Sequence, residues 1–144
     1  MLEAYIYDGL RTPIGRQDGA LSRVRPDDML GDVIKTLVAR SGFAAQSIDD
    51  VNVGCVSQAG EDSRNVGRHA MLRAGLPIEV PANTINRLCG SGMNALITAA
   101  HAITCGEADV VVAGGVESMT RAPFVVSRTA GAFPKAMESY VASL

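Results

Sequence analysis

From Gly92 to Cys105 the sequence reads as one helix that is apolar on nearly every side, with Met93, Ala95, Leu96, Ile97, Ala99, Ala100, Ala102 and Ile103 leaving no polar stripe. A helix without a wet face belongs in the middle of a layered structure, covered on each side. After three intervening residues, Asp109-Val110-Val111-Val112-Ala113-Gly114-Gly115 reads as a buried strand that ends in a glycine turn. A buried helix feeding a buried strand restricts the fold to an α/β layered sheet with at least some parallel pairs.

The rest of the sequence fits that frame. Residues 2–8 read as a short strand entering a turn at Arg11-Thr12-Pro13, and residues 14–25, with Gly15, Gly19 and several charges, as loop. Pro26-Asp27-Asp28 opens a helix, because proline and acids suit a helix N-terminus. Its apolar stripe is Met29, Leu30, Val33, Ile34, Leu37 and Val38, and Gly42 ends it. Ile48–Val56 is a second strand candidate, residues 65–74 a helix stopped by Gly75 and Pro77, and Val80–Leu88 a third strand rich in Thr, Asn and Ile. After Val116 the alternation stops, and residues 135–144 carry only a weak helical pattern.

Composition narrows the function classes. With 144 residues, 47% hydrophobic and 19% charged, the sequence supports a globular core. A net charge of -2 leaves no basic footprint for nucleic acid. No apolar run is long enough for a membrane span, and Met1-Leu2-Glu3-Ala4-Tyr5 does not read as a secretory signal. Three cysteines without a CxxC pair make neither a disulfide framework nor a zinc site, so a reducing, cytoplasmic setting is expected.

One of those cysteines stands out. Cys89 lies in Asn86-Arg87-Leu88-Cys89-Gly90-Ser91-Gly92, between a strand and the apolar helix. A thiol in a helix's first turn faces unpaired N–H groups and the positive end of the helix dipole. Both favour the thiolate, which is the nucleophile. The glycines flanking Ser91 allow a backbone or a substrate to come close. A buried structural cysteine is the competing reading, and the local pattern leaves both open. Cys55, in an apolar strand, and Cys105, closing the apolar helix, read as small buried hydrophobes.

Three other patterns carry less. Gly90-Ser91-Gly92-Met93-Asn94-Ala95 matches G-x-G-x-x-A, with Asp109 about twenty residues on. That acid begins a strand instead of ending one, and the preceding strand is too polar for the centre of a dinucleotide fold. His69 and His101 fall on helices with nothing tying them to Cys89, and Ser91 suits helix-start hydrogen bonding. Arg64, Arg68 and Arg73 are spaced to share part of a helix, as a solvated face or a weak phosphate patch.

Asn86-Arg87-Leu88-Cys89-Gly90-Ser91-Gly92-Met93 resembles the nucleophile motif of thiolases, the acetyl-CoA C-acyltransferases. Glu3-Ala4-Tyr5-Ile6 with Arg11-Thr12-Pro13-Ile14-Gly15-Arg16 resembles that family's opening strand and turn. Ala113-Gly114-Gly115-Val116-Glu117-Ser118-Met119 resembles its strand after the nucleophile helix, and Arg121-Ala122-Pro123-Phe124 the start of its loop domain. Gln58-Ala59-Gly60-Glu61-Asp62-Ser63-Arg64-Asn65-Val66 is most similar to 3-oxoadipyl-CoA thiolases.

The resemblance implies a thiolase-like layered α/β fold: a mixed, mostly parallel sheet with a buried nucleophile helix, of which this is the N-terminal portion. Residues 1–117 would be a partial N-terminal domain and 118–144 the start of a truncated loop domain. It implies Cys89 as the nucleophile that carries an acyl thioester, acyl-CoA and CoA as substrates, and neither metal nor cofactor. The histidine, second cysteine and glycine-rich loop of such enzymes have no counterpart here, so CoA-binding residues stay unassigned and the isolated chain is expected to turn over little. A homodimer or homotetramer is implied for the full-length protein, and the polar strand at 80–88 fits a subunit contact. The alternatives are a ketoacyl-synthase-like condensing enzyme and a non-catalytic fragment or split subunit. An apolar helix left uncovered predicts self-association.

Overall fold

The computed structural model describes residues 3–62, 64–126 and 139–140. Helix α1 spans Pro26–Ser41, strand β1 Asp50–Gly54, helix α2 Val66–Ala74 and strand β2 Ala82–Ile85. Helix α3, Ser91–Cys105, and strand β3, Val111–Gly115, complete the layered part. Short strands β4, Val125–Val126, and β5, Ser139–Tyr140, pair antiparallel in a separate ribbon.

The main sheet has the order β2-β1-β3, and both pairings are parallel. Val51 sits opposite Ala82 and Val112, and Gly54 opposite Ile85 and Gly115. Side chains alternate across the sheet. Val51, Val53 and Cys55 of β1 and the residue after it join Leu30 and Ile34 of α1 and Val66, Ala70 and Met71 of α2 in the buried core. Asn52 and Gly54 point to the opposite face, toward α3.

Local chemistry ends each helix where the pattern placed it. Pro26 occupies the first turn of α1, Asp27 pairs with Arg25 at 2.8 Å, and Gly42 closes the helix in the left-handed region, φ 79°. Asn65 caps α2 by accepting the Arg68 N–H at 3.1 Å, and Gly75 ends it at φ 87°. The two helices meet at Gly31, where an added Cβ would lie 3.1 Å from the Arg73 side chain.

Five expectations change. Residues 3–8 form no strand, and residue 2 is outside the described set. Tyr5 and Ile6 are 77% and 84% exposed because no sheet edge takes up this segment's N–H and C=O groups. An Asp8–Arg40 ion pair (2.6 Å) and an edge-on Tyr7–Phe43 contact tie it to the body instead. The apolar helix α3 is covered on one side only: Ser91, Ala95 and Ala99 are buried, while Met93 is 65% and Ile97 44% exposed. A sheet offers a helix one face, and no described element lies over the other. Cys105 is accordingly exposed, not buried. Finally, Ser139–Tyr140 is strand β5 where a weak helix was expected, because its backbone pairs with β4; the rest of that stretch lies outside the described residues. Strand β3 starts at Val111 instead of Asp109, because the Asp49 carboxylate takes the Asp109 and Val110 N–H groups at 2.7 and 3.0 Å. Those two bonds hold the Asp49 carboxyl below its ordinary range.

Candidate functional site

Parallel strands put their C-terminal ends on one side of the sheet, and in open α/β sheets that side is where ligands bind. Here β2 ends at Ile85, and residues 86–90 turn the chain into α3. Cys89 stands on that turn, exposed, two residues ahead of the first helical residue and one ahead of the capping residue Gly90. The thiol is therefore just outside the first turn, not within it. Gly90 supplies no side-chain cap, so no side-chain oxygen competes for the N–H groups at the start of α3.

The elbow is strained and heavily tied. Leu88, next to the thiol, has φ 49°, a left-handed conformation that costs a non-glycine residue about 1–2 kcal/mol. Ser91 is 4% exposed, and its Oγ works in both directions. It accepts the Arg87 N–H at 2.8 Å and donates to the Leu88 carbonyl at 2.6 Å. Gly90 N and Ser91 N donate back to the Arg87 and Leu88 carbonyls, both at 3.0 Å. Arg87 reaches forward to Asn94 Oδ1 at 2.7 Å. Under the elbow, an added Cβ on Gly54 would stand 2.3 Å from the Ser91 carbonyl carbon, so only glycine lets α3 settle this close to the sheet. Gly92 has open space where its Cβ would be.

The remaining candidates disperse. His69 and His101 are exposed, and His101 stands about 15 Å further along α3 than the elbow by helical rise. Cys55 is buried, and its thiol donates to the Ser57 carbonyl at 3.2 Å. Arg68 holds the Val80 and Ile78 carbonyls, Arg73 pairs with Asp28 at 2.8 Å, and Arg64 precedes α2, so the three make no phosphate patch. Asp109 lies two residues before β3, at the far end of the sheet from Gly90 and Gly92, which removes the dinucleotide reading. A cavity of about 420 Å³ opens beside the C-terminal end of β3, between residues 10–17, the Met29 and Val33 face of α1 and residues 115–120. Cys89 does not line it.

The elbow sequence and its geometry have relatives. The profile of the family described as "Thiolase, N-terminal domain" matches residues 4–141. The chain belongs to the thiolase family. The 3-oxoadipyl-CoA/3-oxo-5,6-dehydrosuberyl-CoA thiolase of Escherichia coli K12 is 55% identical over 141 residues, 97% of this chain and 35% of that protein. The beta-ketoadipyl-CoA thiolase of Acinetobacter baylyi is 54% identical over 134 residues, 92% of this chain and 33% of that protein. The crystal structure of the Bacillus anthracis acetyl-CoA acetyltransferase superposes with a TM-score of 0.87 at 37% identity, covering 96% of this chain and 35% of that one. The chain thus spans about a third of the length of the curated relatives it matches.

In this thiolase chain the motif residues gain physical roles that spacing did not reveal. Ser91 clamps the elbow from behind instead of capping the helix in the ordinary way, since its hydroxyl serves residues before the helix. Asn86 Oδ1 accepts the Leu88 N–H at 3.0 Å, a local side-chain turn that an asparagine at a strand end signals. Gly54 carries no local signal beyond a glycine in a strand, which hints at close backbone approach. Glu117 carries none, because its partners are sixty residues away.

Proposed function

We propose that the chain is the nucleophile-bearing part of an acetyl-CoA C-acyltransferase that cleaves a 3-oxoacyl-CoA with CoA. The observation that carries this is the exposed Cys89 on a left-handed, multiply hydrogen-bonded elbow ahead of α3. The thiolate of Cys89 attacks the keto carbon. The carbon–carbon bond breaks, and its electron pair leaves with the acetyl-CoA carbanion, which takes a proton. The thiol of CoA then receives the acyl group from Cys89, freeing the cysteine. The backbone N–H of Cys89 serves as one donor to the tetrahedral oxyanion. The reverse direction is a Claisen condensation. CoA is substrate here, and neither metal nor resident cofactor takes part.

The relatives named for 3-oxoadipyl-CoA and beta-ketoadipyl-CoA support a dicarboxylic 3-oxoacyl-CoA as the substrate. The enzyme acts in the cytoplasm as a homodimer or homotetramer, and no helix among the described residues is long and apolar enough to cross a membrane. The 144 residues alone turn over little, because the two histidines lie exposed on α2 and α3 without a tie to the thiol.

The test is mass spectrometry after mixing the protein with acetoacetyl-CoA or 3-oxoadipyl-CoA. The acyl adduct maps to Cys89 and vanishes in Cys89→Ser but not in Cys105→Ser. An adduct confined to Cys105, or robust CoA-dependent turnover in Cys89→Ser, overturns the assignment. Dependence on an acyl-carrier protein in place of CoA would favour a ketoacyl-synthase-like enzyme. The exposed apolar side of α3 favours one further possibility, a split subunit that is completed by a partner chain.

A further inference from the structure

Glu117 follows β3 and lies in the wall of the 420 Å³ cavity, away from the thiol. Its Oε2 accepts the Val56 N–H at 2.8 Å and its Oε1 accepts the Ser57 N–H at 3.1 Å. The peptide group joining Val56 and Ser57 has its carbonyl occupied too, by Asn86 Nδ2 at 3.2 Å. At the other end of the same side-chain amide, Asn86 Oδ1 accepts the Leu88 N–H at 3.0 Å. One unbroken series therefore runs from the Glu117 carboxylate through a backbone amide and a side-chain amide to the residue next to Cys89. It crosses from β3 over the end of β1 to the end of β2.

All three bonds point the same way. An amide whose N–H donates to a carboxylate gains negative charge on its oxygen, and so accepts more strongly from the next donor. The series terminates on the N–H of the left-handed Leu88, the most strained residue of the elbow. Left-handed non-glycine backbone persists only where its surroundings over-determine it. Ser91 restrains this turn from the helix side. The Glu117 series restrains it from the sheet side.

We propose that Glu117 is a positioning residue for Cys89, acting through the Val56–Ser57 peptide and Asn86 to hold Leu88 and thereby the direction of the thiol. This rests on the reading of Cys89 as the nucleophile. It also gives a reason for an acid two residues after β3, since a carboxylate is the one side chain that accepts both N–H groups without donating.

The three cysteines make the test internal to one molecule. Cys89 and Cys105 are exposed and Cys55 is buried, so brief iodoacetamide labelling read by peptide mass spectrometry reports two things. The Cys89/Cys105 ratio reports the elbow, and Cys55 labelling reports unfolding. In Glu117→Gln, which can accept only one of the two N–H groups, the ratio falls about tenfold while Cys55 stays protected. Glu117→Asp recovers part of the loss. Asn86→Ala lowers the ratio similarly, and Glu117→Gln adds little to it, because both cut one series. An unchanged ratio in Glu117→Gln with Cys55 protected overturns the proposal. If Glu117→Gln exposes Cys55, Asn86→Ala decides by the same ratio. The acyl-CoA adduct separates the two readings. A ratio that falls in a protein forming no adduct on Cys89 refutes the nucleophile and keeps the positioning series, whereas an adduct with an unchanged ratio does the reverse.

Discussion

At the scale of single residues, the elbow is held by groups that would be unremarkable elsewhere. Leu88 tolerates φ 49° because its N–H and C=O are both taken, by Asn86 and by Ser91. Ser91→Ala removes a buried hydroxyl that makes two hydrogen bonds, and it is expected to lower stability by about 1–3 kcal/mol in denaturant unfolding. The Cys89/Cys105 labelling ratio should change with it, which a remote surface substitution would not cause. Gly54→Ala is more severe. A methyl group 2.3 Å from the Ser91 backbone forces α3 off the sheet, and a loss of about 3 kcal/mol or more is expected, read as a lower midpoint in urea. The motif around Cys89 was legible from the residues. The need for glycine at position 54 was not, because the backbone it meets, that of Ser91, is remote from it in sequence.

At the scale of elements, the helices were the most legible part. Each ends in a left-handed glycine, and α1 and α2 also open on a start signal, Pro26 and Asn65; all of these are local properties. Met71 of α2 is fully buried in the core shared by α1, α2 and β1, so Met71→Ala should cost about 2–5 kcal/mol in equilibrium unfolding. Strands were less legible. The run Tyr5-Ile6-Tyr7 is strand-like in composition, yet those residues hang in solvent, because a strand exists only where a neighbour supplies its hydrogen bonds. Strand β1 exists because β2 and β3 flank it on both edges.

At the scale of the whole molecule, two properties follow from the arrangement of charges and apolar surface. The carboxyls of Asp27, Glu61 and Asp8 are held below their ordinary range, in each case chiefly by hydrogen bonds from an arginine: Arg25, Arg121 and Arg40. A carboxyl with a lowered folded-state pKa stabilises the fold above its unfolded pKa and stops doing so as pH falls through the folded value. Stability should therefore be level down to about pH 5 and drop below about pH 4, with a shallower drop in Asp27→Asn than in the parent, measured by thermal melting across pH. The exposed side of α3, with Met93, Leu96 and Ile97, predicts self-association. Ile97→Glu should reduce the weight-average mass in light scattering without lowering helix content; an unchanged mass would remove that surface as the cause.

The sequence alone determined what depends on neighbours along the chain: the helix periods, their glycine stops, the run of β-branched residues in β3, and the cysteine between a polar strand and an apolar helix. The tertiary structure decided what depends on atoms sixty residues apart. It set the strand order β2-β1-β3, left residues 3–8 outside the sheet and exposed one side of α3. It also brought Glu117, the Val56–Ser57 peptide and Asn86 into one hydrogen-bonded series. Propensity is a local energy, whereas a ladder, a close backbone approach and a bridging carboxylate each need two distant segments placed within about 3 Å, and only packing does that.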